Sequence, residues 1–541
     1  MGQDPAASRD FDFLVVGSGF GGSVAALRLV EKGYSVGVLE QGRRYRAEDF
    51  PKRNWVLWKY LWAPRLFLYG IQKLTLFRDV FVLSGVGVGG GSLVYGNTLL
   101  RPPDAAFADP RWRDLADWKT VLAPHFECAE RMLGVVENEH FFEPDELLRA
   151  CAHDLGREAS FHPTRVGVFF GPQHETVPDP YFGGAGPARS GCIYCGGCMV
   201  GCRYRAKNTL DYNYLYFAEQ GGARVFPERR VESIRREGDR YVLDTVRPTG
   251  FLARRPQRFT AGGVVLAGGV LGTVPLLLRC RERGTLPDLS PLLGHYVRSN
   301  SEAIIGASTW DRSKDFSQGI AITSGLYVDD HTHVELVHYS KGSDAMGPLA
   351  TVLTDGGTRL TRPLRWLGQI VRHPLAFLRT LVPFGWARRT VILLVMQTLD
   401  NFMRLARRRR WYWPFSRRLT SEQTTPAGAR RQVRVPAYIP AANDLARRMA
   451  AKMHGFAESG IHEVLLNVPL TAHILGGCVM AESAADGVID PHGRVFGYEN
   501  LYVTDGSMIG ANLGVNPSLT ITALAEHVMS HVPPKGAPRD D

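Results

Sequence analysis

FDFLVVGSGFGGSVAALRLVEKGYSVGVLE, residues 11–40, reads as strand, glycine turn, helix, turn and second strand. Phe11 to Val16 is an apolar run of β-favouring residues. From Ser23 to Glu31, Val24, Leu27 and Val30 recur at helical spacing, and Gly33 stops the helix. Between strand and helix lie Gly17, Gly19 and Gly22 in G-x-G-x-x-G order, with Phe20 and Gly21 inside the turn. Glycine permits the tight turn and lets the backbone approach a pyrophosphate, which then rests on the positive N-terminus of the helix. Glu40 ends the second strand 18 residues beyond Gly22, where a carboxylate accepts a ribose hydroxyl and repels a 2′-phosphate. A glycine turn without a ligand is the alternative, but strand, helix, second strand and acid all agree on a dinucleotide. The motif alone does not separate FAD from NAD.

The C-terminal segment bears on that choice. Residues 473–528 contain HILGGCVM and then DPHGRVFGYENLYVTDGSMIGANLGVNPSLTITALAEHV. Asn500 to Asp505 reads as a short strand, and Asn516-Pro517 as the N-cap and first position of a helix. Such an end presents unpaired N–H groups and partial positive charge, which suit a reduced, anionic flavin.

Four separated motifs, in order, resemble the glucose–methanol–choline oxidoreductases: GSGFGG; GVGVGGGSLVYGN at Gly85–Asn97; VVLAGGVLGTVPLLLRCRERGTLP at Val264–Pro287; and HILGG with TDGSMIGANLGVNPSLTITALAE. GVGGGSLV, GTLP and YVTDGS followed by GVNP resemble the cholesterol-oxidase branch in particular. The resemblance implies FAD, held by Gly17, Gly19, Phe20, Gly21, Gly22, Glu40 and Gln41, by Gly85, Gly90, Gly91, Asn97, Val231 and Gly268, and by Asp505, Gly506, Asn516 and Pro517. It also implies oxidation of a bulky apolar alcohol, a 3β-hydroxysteroid above all. His473 and Asn516 would face the substrate hydroxyl. A histidine of ordinary pKa about 6.5 can take the hydroxyl proton as hydride leaves, and an amide can hold the alcohol oxygen. Taken singly, a histidine is more often structural, and Asn516 could be no more than a helix cap. For the carboxylate that shifts a steroid double bond in some of these enzymes, THVELVHYSKGSDAMG offers two acids, Glu335 and Asp344, either of which could equally be a solvated or salt-bridged carboxylate.

Cys192, Cys195, Cys198 and Cys202 follow C-x-x-C-x-x-C-x-x-x-C spacing, close to that of bacterial ferredoxins without the final proline. An iron–sulfur cluster, a zinc knot and a plain thiol cluster are the alternatives. The other four cysteines are scattered.

The fold class expected is α/β, or α+β overall: a discontinuous Rossmann-type FAD-binding domain (9–125, 191–300 and 465–535) and a substrate domain with an antiparallel sheet and helices (126–190 and 301–464). A chain of 541 residues suits two domains. The net charge of +11 comes with no helix-turn-helix, zinc-finger or RNP-type signature, so nucleic acid is not an expected partner. The N-terminal decapeptide lacks a basic region followed by an apolar one, and the runs at 11–16 and 391–396 are too short to span a bilayer. A cytoplasmic protein is expected, with peripheral membrane contact through two aromatic and basic stretches, 55–81 and 360–418. The second has seven arginines between 404 and 418, beside Trp411, Tyr412 and Trp413. A lid packed on the core with a solvated basic face is the alternative. The electron acceptor is either dioxygen or a carrier fed through the cysteines, and the non-enzymatic alternative is a flavin-containing, membrane-associated binding protein.

Overall fold

A computed structural model describes residues 10–250, 254–410, 413–424 and 434–537; Trp411 and Tyr412 lie outside them. The apolar run Phe11–Val16 forms a central parallel strand because both its faces are covered. On one side it pairs with Val36–Leu39, which pairs in turn with Arg224–Phe226; on the other it pairs with the long strand Gln257–Leu266. That long strand divides its opposite edge. Its first half pairs antiparallel with Arg240–Val246 of a hairpin, and its last residues pair parallel with Leu501–Val503. The result is a Rossmann-type sheet whose strands come from distant parts of the chain.

Helix Phe20–Glu31 packs against the C-terminal helix Ser518–Ser530 above this sheet. Their approach depends on small residues. A Cβ on Gly21 would stand 1.7 Å from the carbonyl oxygen of Thr504, and Gly17, at φ +105°, would put one 2.3 Å from that of Ala267. The turn therefore holds both strand ends tightly against the helix.

The second sheet is antiparallel throughout, in the order 350–352, 455–460, 303–309, 390–397, 332–337, 322–327 and 162–163. Helices Glu143–Asp154 and Pro440–Lys452 bury Leu148, Leu445, Ala446 and Met449 against one of its faces. The other face carries Ile322, Val337, Ile392 and Leu394, which turn toward the Rossmann-type unit. Among the described residues no helix is long and apolar enough to cross a membrane.

Candidate active site

One cavity of about 690 Å³ runs between the two sheets. Its lining begins with the glycine turn and Glu40, continues past His473 and Asn516, and ends among Ile304, Val337, Tyr339, Met346, Trp386 and Leu394. A polar cradle, the His473 and Asn516 side chains and an apolar chamber are thus continuous. Of the nucleotide-contacting residues expected from sequence, Gly17, Gly19, Phe20, Gly21, Glu40, Gln41, Gly85, Gly90, Gly91, Val231, Gly268, Asp505, Gly506, Asn516 and Pro517 line it. Gly22 and Asn97 do not. Gly22 is a packing glycine, with its Cβ position 2.1 Å from the Gly17 oxygen, and Asn97 faces the cysteine cavity instead.

The cradle fits a dinucleotide. Cβ atoms added to Gly269 and Gly272 would meet no protein atom within 4 Å, and one on Gly19 would meet only Gly90 Cα at 3.9 Å. These glycines hold space open rather than filling it, as close backbone approach to a pyrophosphate requires. Glu40 is buried; its carboxylate accepts hydrogen bonds from the Ser18 hydroxyl (2.8 Å) and from the Gly42 N–H (2.8 Å). Asp505 accepts from Gly269 N–H (2.8 Å), Thr273 Oγ1 (2.5 Å) and Ser507 N–H (2.8 Å), tying three cavity loops together.

His473 stands just beyond the short strand Leu470–Thr471, with its backbone N–H donating to Thr471 Oγ1. Its ring Nδ1 is 3.0 Å from Glu302 Oε2. Glu302 is fully buried and also accepts from Thr471 Oγ1 (2.8 Å) and Ala472 N–H (3.0 Å), so its orientation is fixed. Burial opposes the imidazolium, but the Glu302 carboxylate outweighs it and raises the His473 pKa. With Nδ1–H given to Glu302, the ring presents an Nε2 lone pair. Sequence reasoning missed Glu302: it lies 171 residues from His473 and belongs to no motif.

The helix after Asn516 begins one residue later than the sequence suggests, at Ser518 with Pro517 in the capping position, and no side chain caps it. Asn516 is therefore not a side-chain cap; its Nδ2 donates to Glu335 Oε2 at 3.0 Å. Its buried Oδ1 has no hydrogen-bond partner among the described residues. Glu335, on strand Thr332–Val337, lies behind Asn516 rather than on the cavity wall. Burial pushes its carboxyl up to about 7, against the opposing pull of Asn516 and His473. Asp344 is not brought to this site. Its carboxylate accepts the backbone N–H groups of Gly385 (3.0 Å) and Ala387 (2.8 Å) at the start of a short helix. The carboxyl that does line the apolar end is Glu458, held by Ser308 Oγ (2.8 Å) and Trp386 Nε1 (3.2 Å) and pushed by burial to about 7. No sequence signal had marked it.

Cys192, Cys195, Cys198 and Cys202 together line a second cavity, of about 310 Å³. Among the described residues, no three of their sulfurs lie within 4.8 Å of one another. Lys207, buried beside them, donates to the carbonyls of Leu93 (3.0 Å), Tyr95 (3.1 Å) and Cys198 (2.8 Å). It thereby joins the cysteine loop to the loop of Gly90 and Gly91, and burial lowers its pKa to about 8.

Outside the cavity, Leu360, Leu364, Leu367, Val371, Leu375 and Leu378 form a helical stripe that is 52–81% exposed. The two helices bearing it, Thr361–Arg372 and Pro374–Thr380, lead into Trp386 on the cavity wall. Trp55 stacks on Phe384 at 6.3 Å, which brings the stretch 55–81 alongside this surface.

Comparison with known proteins agrees with this geometry. Residues 434–525 match the family model described as GMC oxidoreductase, and residues 15–67 that of an NAD(P)-binding Rossmann-like domain. The chain is 46% identical to a cholesterol oxidase of Acinetobacter baumannii, covering 97% of this chain and 95% of that one. It is 49% identical to a cholesterol oxidase of Mycobacterium tuberculosis, covering 97% and 92%. Among solved structures, pyridoxine 4-oxidase from Mesorbium loti shares the fold, with a TM-score of 0.60 at 15% identity over 96% of this chain and 99% of that one.

Proposed function

The chain belongs to the GMC oxidoreductase family, and from that premise we propose that it oxidises a 3β-hydroxysteroid, cholesterol in the first place, to the ketone, with FAD in the cradle and dioxygen as the final acceptor. The observation that carries this reading is the continuous cavity, in which His473 and Asn516 stand between a dinucleotide cradle and an apolar chamber. Bound FAD would supply the acceptor for the hydride that leaves the carbinol carbon. His473 Nε2 accepts the hydroxyl proton as the carbon–hydrogen bond breaks, and the Glu302 carboxylate stabilises the imidazolium so formed. Asn516 has two N–H bonds on Nδ2; one is given to Glu335, and the other is available to hold the alcohol oxygen. The test is anaerobic mixing of the holoenzyme with a sterol panel, followed by admission of air. The expected result is loss of the oxidised flavin spectrum with sterol and its rapid return in air. A folded holoenzyme that no sterol reduces overturns the reading.

A sterol resides in lipid, and the exposed stripe from Leu360 to Leu378, with Arg365, Arg372 and Arg379 on the same helices, suits the boundary of an anionic bilayer. The packed-lid alternative is disfavoured, because these side chains are exposed rather than buried. Vesicles of anionic phospholipid should sediment with the protein. Replacing Leu364, Leu367, Val371 and Leu375 by serine should abolish this and raise KM for vesicle-borne sterol, but not for detergent-dispersed sterol.

A second reading concerns the electron path. That all four clustered cysteines share one cavity favours an iron–sulfur cluster there, joined to the flavin loop through Lys207. Anaerobically purified protein should then contain iron and acid-labile sulfide near stoichiometry. Finding neither, at normal flavin content, leaves dioxygen as the direct acceptor.

A further inference from the structure

Three imidazoles converge at the far end of the helix that begins beside Asn516. His527 lies in the last turn of Ser518–Ser530 and His531 follows as its C-terminal cap. His492 comes from the tight turn closed by the Gly493 N–H on the Asp490 carbonyl. One ring nitrogen from each histidine lies within 4.8 Å of the other two. The i,i+4 spacing puts His527 and His531 on one helix face, and the His492 and His531 rings are 4.1 Å apart.

Two of these rings are already oriented by the backbone. His531 Nδ1 is 2.8 Å from the His527 carbonyl oxygen, and His527 Nε2 is 3.2 Å from that of Pro491. A carbonyl can only accept, so each ring must donate there, and its opposite nitrogen is left as an unprotonated lone pair. Metal-binding histidines are held in this way, with the second N–H on a backbone carbonyl or carboxylate. The third ring, His492, has a buried Nδ1 with no hydrogen-bond partner among the described residues, an arrangement that is unfavourable unless something occupies it. His531 is exposed, which gives an ion a path from solvent and leaves room for a water ligand.

We propose that His492, His527 and His531 form a binding site for a divalent transition cation, zinc in particular. Three imidazoles favour such an ion over magnesium or calcium, which take oxygen ligands. Zn–N bonds of about 2.0–2.1 Å at tetrahedral angles set nitrogen separations of about 3.3 Å, and the exposed His531 ring can make the closing movement. The bound ion ties the last turn of the helix to the turn at His492. The helix has 13 residues, so the site stands about 20 Å from the end that carries Asn516 and takes no part in alcohol chemistry.

The test is calorimetric titration of the full, FAD-loaded, chelator-treated protein with zinc chloride, in parallel with His531→Ala and His492→Ala. Neither substitution lies near the flavin, so both variants should keep normal flavin content. The parent should bind one equivalent that raises its Tm, and each alanine variant should lose at least ~10-fold in affinity for it. His531→Cys, a substitution that keeps a zinc ligand, should restore binding. A parent that binds no stoichiometric zinc, or alanine variants that bind it as the parent does, overturns the proposal; in the latter case the zinc sits elsewhere on the protein.

Discussion

Glu302→Gln removes one charge from the site and little else. The glutamine can still accept the Ala472 N–H, but it cannot accept from both Thr471 and His473 Nδ1 as the carboxylate does at 2.8 and 3.0 Å. Its amide N–H would face Nδ1, which favours the tautomer with the proton on Nε2, the wrong form for a base. Loss of a buried, charge-assisted hydrogen bond is worth about 1.5–3 kcal/mol, or roughly 10–100-fold at 1.36 kcal/mol per decade. Tautomer inversion can extend the loss to about 10⁴-fold. Flavin reduction by sterol, followed anaerobically by stopped flow across pH, should therefore slow by between ~10- and ~10⁴-fold. The parent rate should rise with pH through a midpoint above 6.5, because Glu302 raises the His473 pKa and only the neutral ring accepts a proton. In the variant that midpoint should fall. A correctly folded variant with bound FAD, the parent's rate and the parent's midpoint would refute the pairing of these residues as a functional unit.

Gly21→Ala should prevent folding or yield colourless protein, since its Cβ would stand 1.7 Å from the Thr504 oxygen, whereas Gly19→Ala should fold yet retain FAD poorly because its Cβ enters the open cradle. Asp344→Ala should lower stability by about 1–2 kcal/mol, the worth of a helix-start carboxylate, and leave flavin reduction unchanged. Glu335 holds a proton in the fold up to about pH 7 that the unfolded chain releases near 4.5. The unfolded state therefore binds fewer protons in that window, and stability should fall by up to about 3 kcal/mol as pH rises through it. Denaturant titrations of Glu335→Gln should show that component flattened.

The nucleotide half of the fold was legible because its information is local. A strand, a glycine turn and an acid within residues 11–40 can come together in few ways, and they pair as expected. His473 and Asn516 were legible as motif members; of their partners, Glu335 was one of the two acids the sequence offered, whereas Glu302 was not marked at all. Glu302, just before strand Ala303–Thr309, and Glu335 make contacts between segments 171 and 181 residues apart, and nothing in the local sequence pattern shows which side chain each carboxylate meets. Asp344 and Asn97 show the converse. Both lie in stretches that resemble family segments, yet resemblance does not give the direction of a side chain, and one caps a helix while the other faces the cysteines. The cysteine spacing announced a cluster but could not give its sulfur separations. The aromatic and basic stretches were visible in the sequence, whereas the exposure of their apolar stripe depends on which face of the two helices packs on strand 350–352, where Trp366 Nε1 donates to Thr351 Oγ1.

The central claim is that this cavity removes a hydride from the carbinol carbon of a sterol while His473 takes the hydroxyl proton. Its most direct test is single-turnover, anaerobic flavin reduction with cholesterol that carries either hydrogen or deuterium on that carbon, in the parent and in His473→Ala. The account predicts rapid reduction by the parent, slowed several-fold by deuterium, and a loss of about 10²–10⁴-fold in His473→Ala with FAD still bound. Parent reduction that is insensitive to deuterium, or reduction at the parent's rate by folded, FAD-bound His473→Ala, would contradict the account.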